Sequence, residues 1–539
     1  MAKLNTQFYK NYNKEPLGQN EKLLSYFLSN SPPNEDYSNL LTAINDYYLD
    51  YHFSDCRSSI LRWYPFENDC SVLEIGAENG ALTGALCDNC GNVVAVEKSL
   101  FCAKNIVERY SKRDNLVVYA ADYRDIKFDY KFDYIIFFKE LECSDNYVAT
   151  LNYLKTLLTP NGKILFEVEN QYGVQYFVGK KETYTGIPFE SIAGYQENAK
   201  GRGFSRDELI TILKKSNFSS WKFYYPLSDC IFPRAIFTEE ELPQPNMIER
   251  LVIPHEDIST LIADDRQLFI DVVANKVYPF FSNHFIIEAS DEIRDLTDIR
   301  FVALSGYRLR EKAFATIIHS NGIVEKKGLF PNGSKYARHL LTIYNDLKKQ
   351  DIPILELKLR GNSLFMNYVD NPTVQLHLNH LVESDAPKAA VIEVFDILWK
   401  YILKSSKIED EHCYKNGIDL GPVLEKAYLE MVSINSFWQN GKILFFDQEI
   451  CRENYPAKYI IFRSIQMFIG MIKGAEKKIS KQELLEHFGI SNDVSDYFSW
   501  MEFQLDQDEN PKQIVYNNYL DSEQLRHRRM QLAGDVDGK

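Results

Sequence analysis

The chain has 539 residues, too many for one hydrophobic core, so about two to four domains are expected. Its 61 basic and 76 acidic residues leave a net charge of −15, which argues against a nucleic-acid partner, because neutralising phosphates needs clustered lysine and arginine. No signal peptide opens the chain and no apolar run approaches the ~20 residues that span a bilayer. Nine cysteines are scattered, with Cys87 and Cys90 as a lone CxxC, so reduced thiols in a cytoplasmic protein are expected.

In chain order, residues 1–65 read as a polar-aromatic helical segment, with Leu23, Leu24, Phe27 and Leu28 on one helical face. Alternation follows: strand 71–76, helix 81–88, strand 92–96, helix 99–112, strands 115–119 and 132–138, helix 146–157 and strand 162–168. Such interleaving predicts a parallel sheet with helices on both faces, a doubly wound α/β domain. Phe204–Phe218 continues as a helix and Trp221–Tyr225 as a strand. The Pro-rich stretch from Pro226 to Pro245 predicts a boundary near 245, giving a domain over 66–245 and a helical connector over 246–295.

Val72–Thr83 reads VLEIGAENGALT, a strand, a glycine turn and a helix start. That geometry presents backbone N–H groups to a nucleotide-like cofactor. About twenty residues on, the strand 92–96 ends in Glu97, whose carboxylate suits two ribose hydroxyls. A dinucleotide turn wants GxGxxG, yet the middle position here carries Glu78, which would repel a pyrophosphate. S-adenosylmethionine has no phosphate and bears a sulfonium and an ammonium. Glu74 can receive that ammonium, and Asp122, in AADY, can accept from an adenine amino group. This ordered set resembles class I S-adenosylmethionine-dependent methyltransferases over residues 68–225. The resemblance implies a Rossmann-like fold and a cofactor held by Glu74, Gly76, Ala77, Gly80, Glu97, Asp122 and Tyr123.

GALT after the turn also resembles ribosomal RNA adenine dimethylases. Those carry an Asn-Leu-Pro-Tyr type signature after the fourth strand, where this chain has Phe137-Phe138-Lys139-Glu140-Leu141-Glu142, so that reading is set aside. Glu169-Asn170-Gln171-Tyr172-Gly173, TGIPFESIAGY (Thr185–Tyr195), GRGFSRDEL (Gly201–Leu209) and YPLSDCIFPRAIFTEEELP (Tyr225–Pro243) instead resemble methyltransferases of bacterial surface-polysaccharide clusters. An oxygen acceptor needs a general base, and Glu140, Glu142 and Glu169 are the carboxylates at strand ends. No histidine lies between His52 and His255, so a histidine base is not expected within this domain.

The second half changes character. Phe301–Ile318 and Gly322–Lys327 read as strands, with Val324 and Lys326 on one face. A helix over Ser334–Leu347, strands Ile354–Leu359 and Ser363–Asn367, a hinge at Tyr368-Val369-Asp370 and a long helix over 386–404 follow. Over about 295–475 this order resembles a protein-kinase-like or aminoglycoside-phosphotransferase-like α+β fold. The resemblance implies ATP and Mg as ligands, with Lys326 at the phosphates, Glu430 as base, and Asn435 and Asp447 as metal ligands. Glu430 departs from the family's Asp, no Glu in 334–347 pairs with Lys326, and only Gly306 marks the phosphate-covering loop. The kinase-like domain is thus placed at 296–475. The tail 476–539 is expected to be helical, then disordered after about 525.

Taken together, the chain resembles bifunctional methyltransferase–kinase proteins that cap O-antigen chains. The resemblance implies methylation of a sugar hydroxyl or sugar-linked phosphate, glycosyltransferase partners, and a place in the cytoplasm at the inner membrane face. A scaffold that binds nucleotide or glycan without catalysis, and a methyltransferase for small-molecule acceptors, are the alternatives.

Overall fold

The computed structural model describes residues 1–10, 18–31, 36–44, 46–196, 199–248, 253, 255–292, 296–509 and 522–532. Two compact units divide the chain: 1–321 with 512–539, and 322–511.

In the first unit the strands are β1 (Lys3–Asn5), β2 (Ser71–Ile75), β3 (Asn92–Glu97), β4 (Leu116–Ala120), β5 (Phe132–Phe138), β6 (Leu158–Glu169), β7 (Ser220–Leu227), β8 (Ala235–Phe237), β9 (His284–Ser290), β10 (Ile299–Leu304) and β11 (Phe314–His319). Their spatial order is β1-β4-β3-β2-β5-β6-β9-β7-β8-β10-β11. Pairings from β1 through β6 are parallel, and those from β6 through β11 are antiparallel. The parallel strands read SVLEI, NVVAVE and FDYIIFF. Such nearly continuous apolar runs suit strands covered by helices on both faces. One core joins Leu73, Ile135, Phe166, Leu213, Phe223 and Phe285 across these strands. The order of the chain reverses at β2, between β3 and β5, which opens a crevice at the carboxyl ends of those strands.

Three expectations change. The first residues are not purely helical, since β1 pairs with β4 at the sheet edge. The stretch read as a helical connector supplies β9, inserted between β6 and β7. Its apolar alternation is short and follows the helix Asp265–Ala274, so local periodicity favours helix there. A helix Ser522–Leu532 stands where disorder was expected to begin; 533–539 lie outside the described residues.

The second unit begins with β12 (Ile323–Gly328), β13 (Lys358–Arg360) and β14 (Ser363–Asn367), an antiparallel sheet in the order β12-β14-β13. The helix Gly333–Lys349 buries Ala337, Leu340, Tyr344 and Leu347, spaced as one helical face. Helices Val374–Glu383, Lys388–Lys404, Ala457–Met471 and Asn492–Glu509 gather around a second core of Leu378, Leu398, Phe445, Phe462 and Phe498. Further antiparallel strands, among them Val423–Tyr428 and Cys451–Pro456, lie between these helices, an α+β arrangement. No helix among the described residues is long and apolar enough to cross a membrane.

Candidate functional site

The glycine turn sits at the crevice. Gly76 and Gly80 have φ of 73° and 77°, the left-handed region that glycine enters without cost. A Cβ on Gly80 would stand 2.9 Å from the Tyr110 ring, and the Tyr110 hydroxyl donates to the Gly80 carbonyl at 2.7 Å. Gly80 therefore seats the helix Leu100–Arg109 and its following turn against the cofactor loop. A Cβ on Gly76 would collide with the Glu140 carboxylate, so the end of β5 leans directly on the turn. Ala77 is buried, and both Gly76 and Ala77 donate their backbone N–H groups to the Val96 carbonyl.

Glu78 also lies at positive φ, 47°, where the dinucleotide pattern has glycine. Its carboxylate accepts from the Tyr51 hydroxyl at 3.2 Å, and its N–H donates to Glu97 at 2.9 Å. His52 approaches at 3.8 Å, but burial pushes that imidazole down to about 3, so the contact is not an ion pair near neutral pH. Tyr51 comes from the helix Tyr47–Phe53, a contact that no local pattern in the sequence marks.

Glu74 stands behind the turn rather than in the crevice. It is buried and accepts from the Thr83 hydroxyl at 2.6 Å. Burial pushes its carboxyl up to about 8, against the opposing pull of Thr83 and Arg57. Near neutral pH it is largely protonated, so the ammonium partnership expected of Glu74 lacks its charge. Glu97 accepts from the Glu78 and Ser99 N–H groups, tying the end of β3 to the turn, and burial raises it to about 7. Asp122 caps the turn after β4 by accepting from the Arg124 N–H at 2.9 Å, with Lys98 3.4 Å away. The Tyr123 ring is buried against Phe137 and Tyr153.

The three expected bases differ sharply. Burial lifts the Glu140 carboxyl to about 7, partly offset by Lys98, a value suited to proton transfer near neutral pH. Glu142 accepts from the Glu169 N–H at 3.0 Å, and burial together with Glu167 pushes it far above the usual range, so it is a neutral acid. Burial works to raise Glu169 too, but His284, Lys139 and Lys180 outweigh it and hold that carboxyl at about 2. The Tyr176 and Thr183 hydroxyls donate to it, the latter at 2.8 Å, so Glu169 anchors the segment after β6. Of the three, Glu140 alone combines a mid-range pKa with contact to the turn.

A histidine from outside 66–245 joins the sheet. β9 starts at His284, and the antiparallel register with β6 sets its ring beside Glu167, Nδ1 to Oε1 2.6 Å. A separation of 117 residues hid this pair from any reading of local motifs.

In the second unit Lys326 is buried and donates to both Asp447 and Glu449. Burial alone would lower its pKa, yet Asp447 and Glu449 outweigh that and keep it charged. Glu449 is the partner that the helix Gly333–Lys349 lacks. Glu430 accepts from the Glu449 N–H at 2.7 Å, and burial, Glu449 and Asp447 raise it to about 8. That shift favours the protonated carboxyl near neutral pH. The Asn435 carbonyl accepts from the Phe446 N–H at 3.0 Å, which links that residue to the Asp447 loop. A cleft beside Lys326 and Asp447 is lined by Leu340, Tyr344, Leu364 and Met366.

Residues 48–222 match the family described as a methyltransferase domain. No curated protein matches the chain. Among solved structures, a Haloferax volcanii complex of the Trm112 methyltransferase activator with a methyltransferase shares 14% identity at a TM-score of 0.31, covering 51% of this chain and 99% of that one. PKMT2 from Rickettsia typhi in complex with AdoHcy shares 15% identity at 0.26, covering 46% and 54%. Phosphoethanolamine N-methyltransferase 1 of Haemonchus contortus shares 14% at 0.29, covering 51% and 50%. Structural likeness this weak identifies no acceptor. The match over 48–222 spans the glycine turn and the parallel strands β2 to β6, so that stretch of the first unit is similar to a methyltransferase domain.

Proposed function

We propose that the methyltransferase acts on a sugar hydroxyl or sugar-linked phosphate in bacterial surface-glycan assembly. The observation that carries the chemical half of this reading is Glu140, which touches the cofactor turn and has a carboxyl near 7. S-adenosylmethionine, when bound, supplies a methyl group on a sulfonium. Glu97 offers the remaining lone pairs of a carboxylate already fixed by two backbone N–H groups, which suits ribose hydroxyls. Asp122 offers an acceptor for the adenine amino group, and Gly76 keeps the floor of the site free of a side chain. Ionised Glu140 takes the proton of an acceptor hydroxyl as its oxygen becomes the nucleophile. The glycan half rests on the motif series from Glu169 to Phe237 and on the polar, aromatic character of the segment after β6. There the Tyr195 hydroxyl donates to Glu182 and accepts from the Gly203 N–H, and the Thr183 hydroxyl donates to Glu169.

Glu140→Gln tests this. Methyl transfer to isolated surface glycan, read as S-adenosylhomocysteine release, should fall by about 10²-fold or more, while cofactor affinity stays within about threefold. Transfer to small amines or phenols with no transfer to glycan would instead select the small-molecule alternative.

For the second unit we infer a kinase-like fold that takes ATP. The buried Lys326, which donates to Asp447 and Glu449 beside a cleft lined by Tyr344 and Met366, supports this reading. Lys326 suits the phosphates, and the carboxylates of Asp447 and Glu449 with Asn435 suit Mg, which would neutralise phosphate charge there. Lys326→Met should abolish ATP binding in calorimetry and leave S-adenosylmethionine binding unchanged. Glycosyltransferases that build the acceptor are the partners this reading implies.

A further inference from the structure

A second constellation lies in the first unit, on residues the methyl-transfer reading does not use. Glu167 on β6, His284 on β9 and Cys230 in the turn after β7 bring one carboxylate oxygen, one ring nitrogen and one sulfur within 4.8 Å of one another. The fold dictates this meeting. β9 lies between β6 and β7, so residues on its two neighbours converge on its first residue. Glu169 faces His284 in register, which sets Glu167 diagonally across on the same side of the sheet.

All three side chains are essentially sealed from solvent, at 0%, 1% and 0% exposure for Glu167, His284 and Cys230. Two of their polar atoms, Glu167 Oε2 and His284 Nε2, have no hydrogen-bond partner. Each such orphan costs on the order of 1–3 kcal/mol, so a buried pair calls for a ligand. The surrounding charged groups are Lys139, which faces Glu167 and Glu169, Arg57, which faces Glu167 and donates to the Cys230 carbonyl, and Glu142.

We propose that Glu167, Cys230 and His284 form a binding site for a divalent transition metal of the zinc class. The donor set decides the metal. Magnesium and calcium take oxygen ligands, whereas one thiolate, one imidazole and one carboxylate suit zinc or cobalt. On binding, the Cys230 S–H bond breaks, sulfur keeps the electron pair and donates it to the metal, and the proton leaves to solvent. The site charge thus rises by one, within reach of the Glu167 and Glu169 carboxylates. Three protein ligands leave a fourth position for an oxygen from water or from an acceptor, the pattern of an open zinc site.

The metal itself is the probe. The full chain, purified without a polyhistidine tag and stripped with chelator, is titrated with cobalt(II) and followed by absorption. One equivalent of cobalt should bind and produce a thiolate-to-cobalt charge-transfer band. Cys230→Ser should lose the band, His284→Gln should weaken binding by at least about tenfold, and Cys143→Ser should leave both unchanged. S-adenosylmethionine titration of each variant reports folding and the methyltransferase reading separately. No cobalt uptake at high micromolar metal, or a band that survives Cys230→Ser, overturns the site. Retained cofactor binding in those variants would then leave the methyltransferase reading standing.

Discussion

Glu74→Gln isolates the energetics of the cofactor turn. The Glu74 carboxyl is raised from its ordinary 4.5 to about 8, with burial the chief cause. A folded pKa above the unfolded one gives stability that is fully present below about pH 4.5 and lost as pH rises through about 8. Glutamine has the same shape, can still accept from Thr83, and does not ionise. At about 1.4 kcal/mol per pKa unit, linkage makes wild type lose about 3 kcal/mol relative to Glu74→Gln between pH 5 and pH 8. Unfolding of a two-unit chain is not two-state, so the assay is hydrogen–deuterium exchange of peptides spanning β2 and the helix Thr83–Asn89. The opening free energy of these peptides should fall with pH in wild type and much less in Glu74→Gln. Parallel pH dependence in the two proteins would refute a protonated, buried Glu74.

Two further substitutions probe the turn. Glu78→Gly removes left-handed strain of about 1–2 kcal/mol and the Tyr51 hydrogen bond of about 1 kcal/mol, so the melting temperature and S-adenosylmethionine affinity should change little; a tenfold affinity loss would make the Glu78 side chain a ligand. Gly80→Ala meets both a φ of 77° and the Tyr110 ring at 2.9 Å, so it should cost about 2 kcal/mol or more, read as accelerated exchange in the same peptides. A neutral outcome there would mean that Tyr110 yields freely.

What the sequence disclosed was local. The strand–turn–helix at Val72–Thr83, the acidic end of β3 and Asp122 after β4 are each written in a dozen contiguous residues, and the sheet places them side by side. The same logic fails where partners are distant. β9 belongs to the sheet only through pairing with β6 and β7, so His284 and the true extent of the sheet were illegible. Tyr123 is named by its motif position, while its packing against Phe137 and Tyr153 comes from the fold. Glu449 escaped because the expected partner of Lys326 was sought on the helix Gly333–Lys349, whereas it sits two residues past Asp447. Equal carboxylates were indistinguishable in sequence. Burial and neighbours separate Glu140, near 7, from Glu169, near 2.

The most direct test of the account is calorimetric titration of the full chain with S-adenosylmethionine, comparing wild type, Asp122→Ala and Asp447→Ala. One site per chain in wild type, lost or at least about tenfold weaker in Asp122→Ala and unchanged in Asp447→Ala, is the predicted result. Absence of binding in wild type, or equal affinity in all three, would contradict a methyl-donor site at the glycine turn of the first unit.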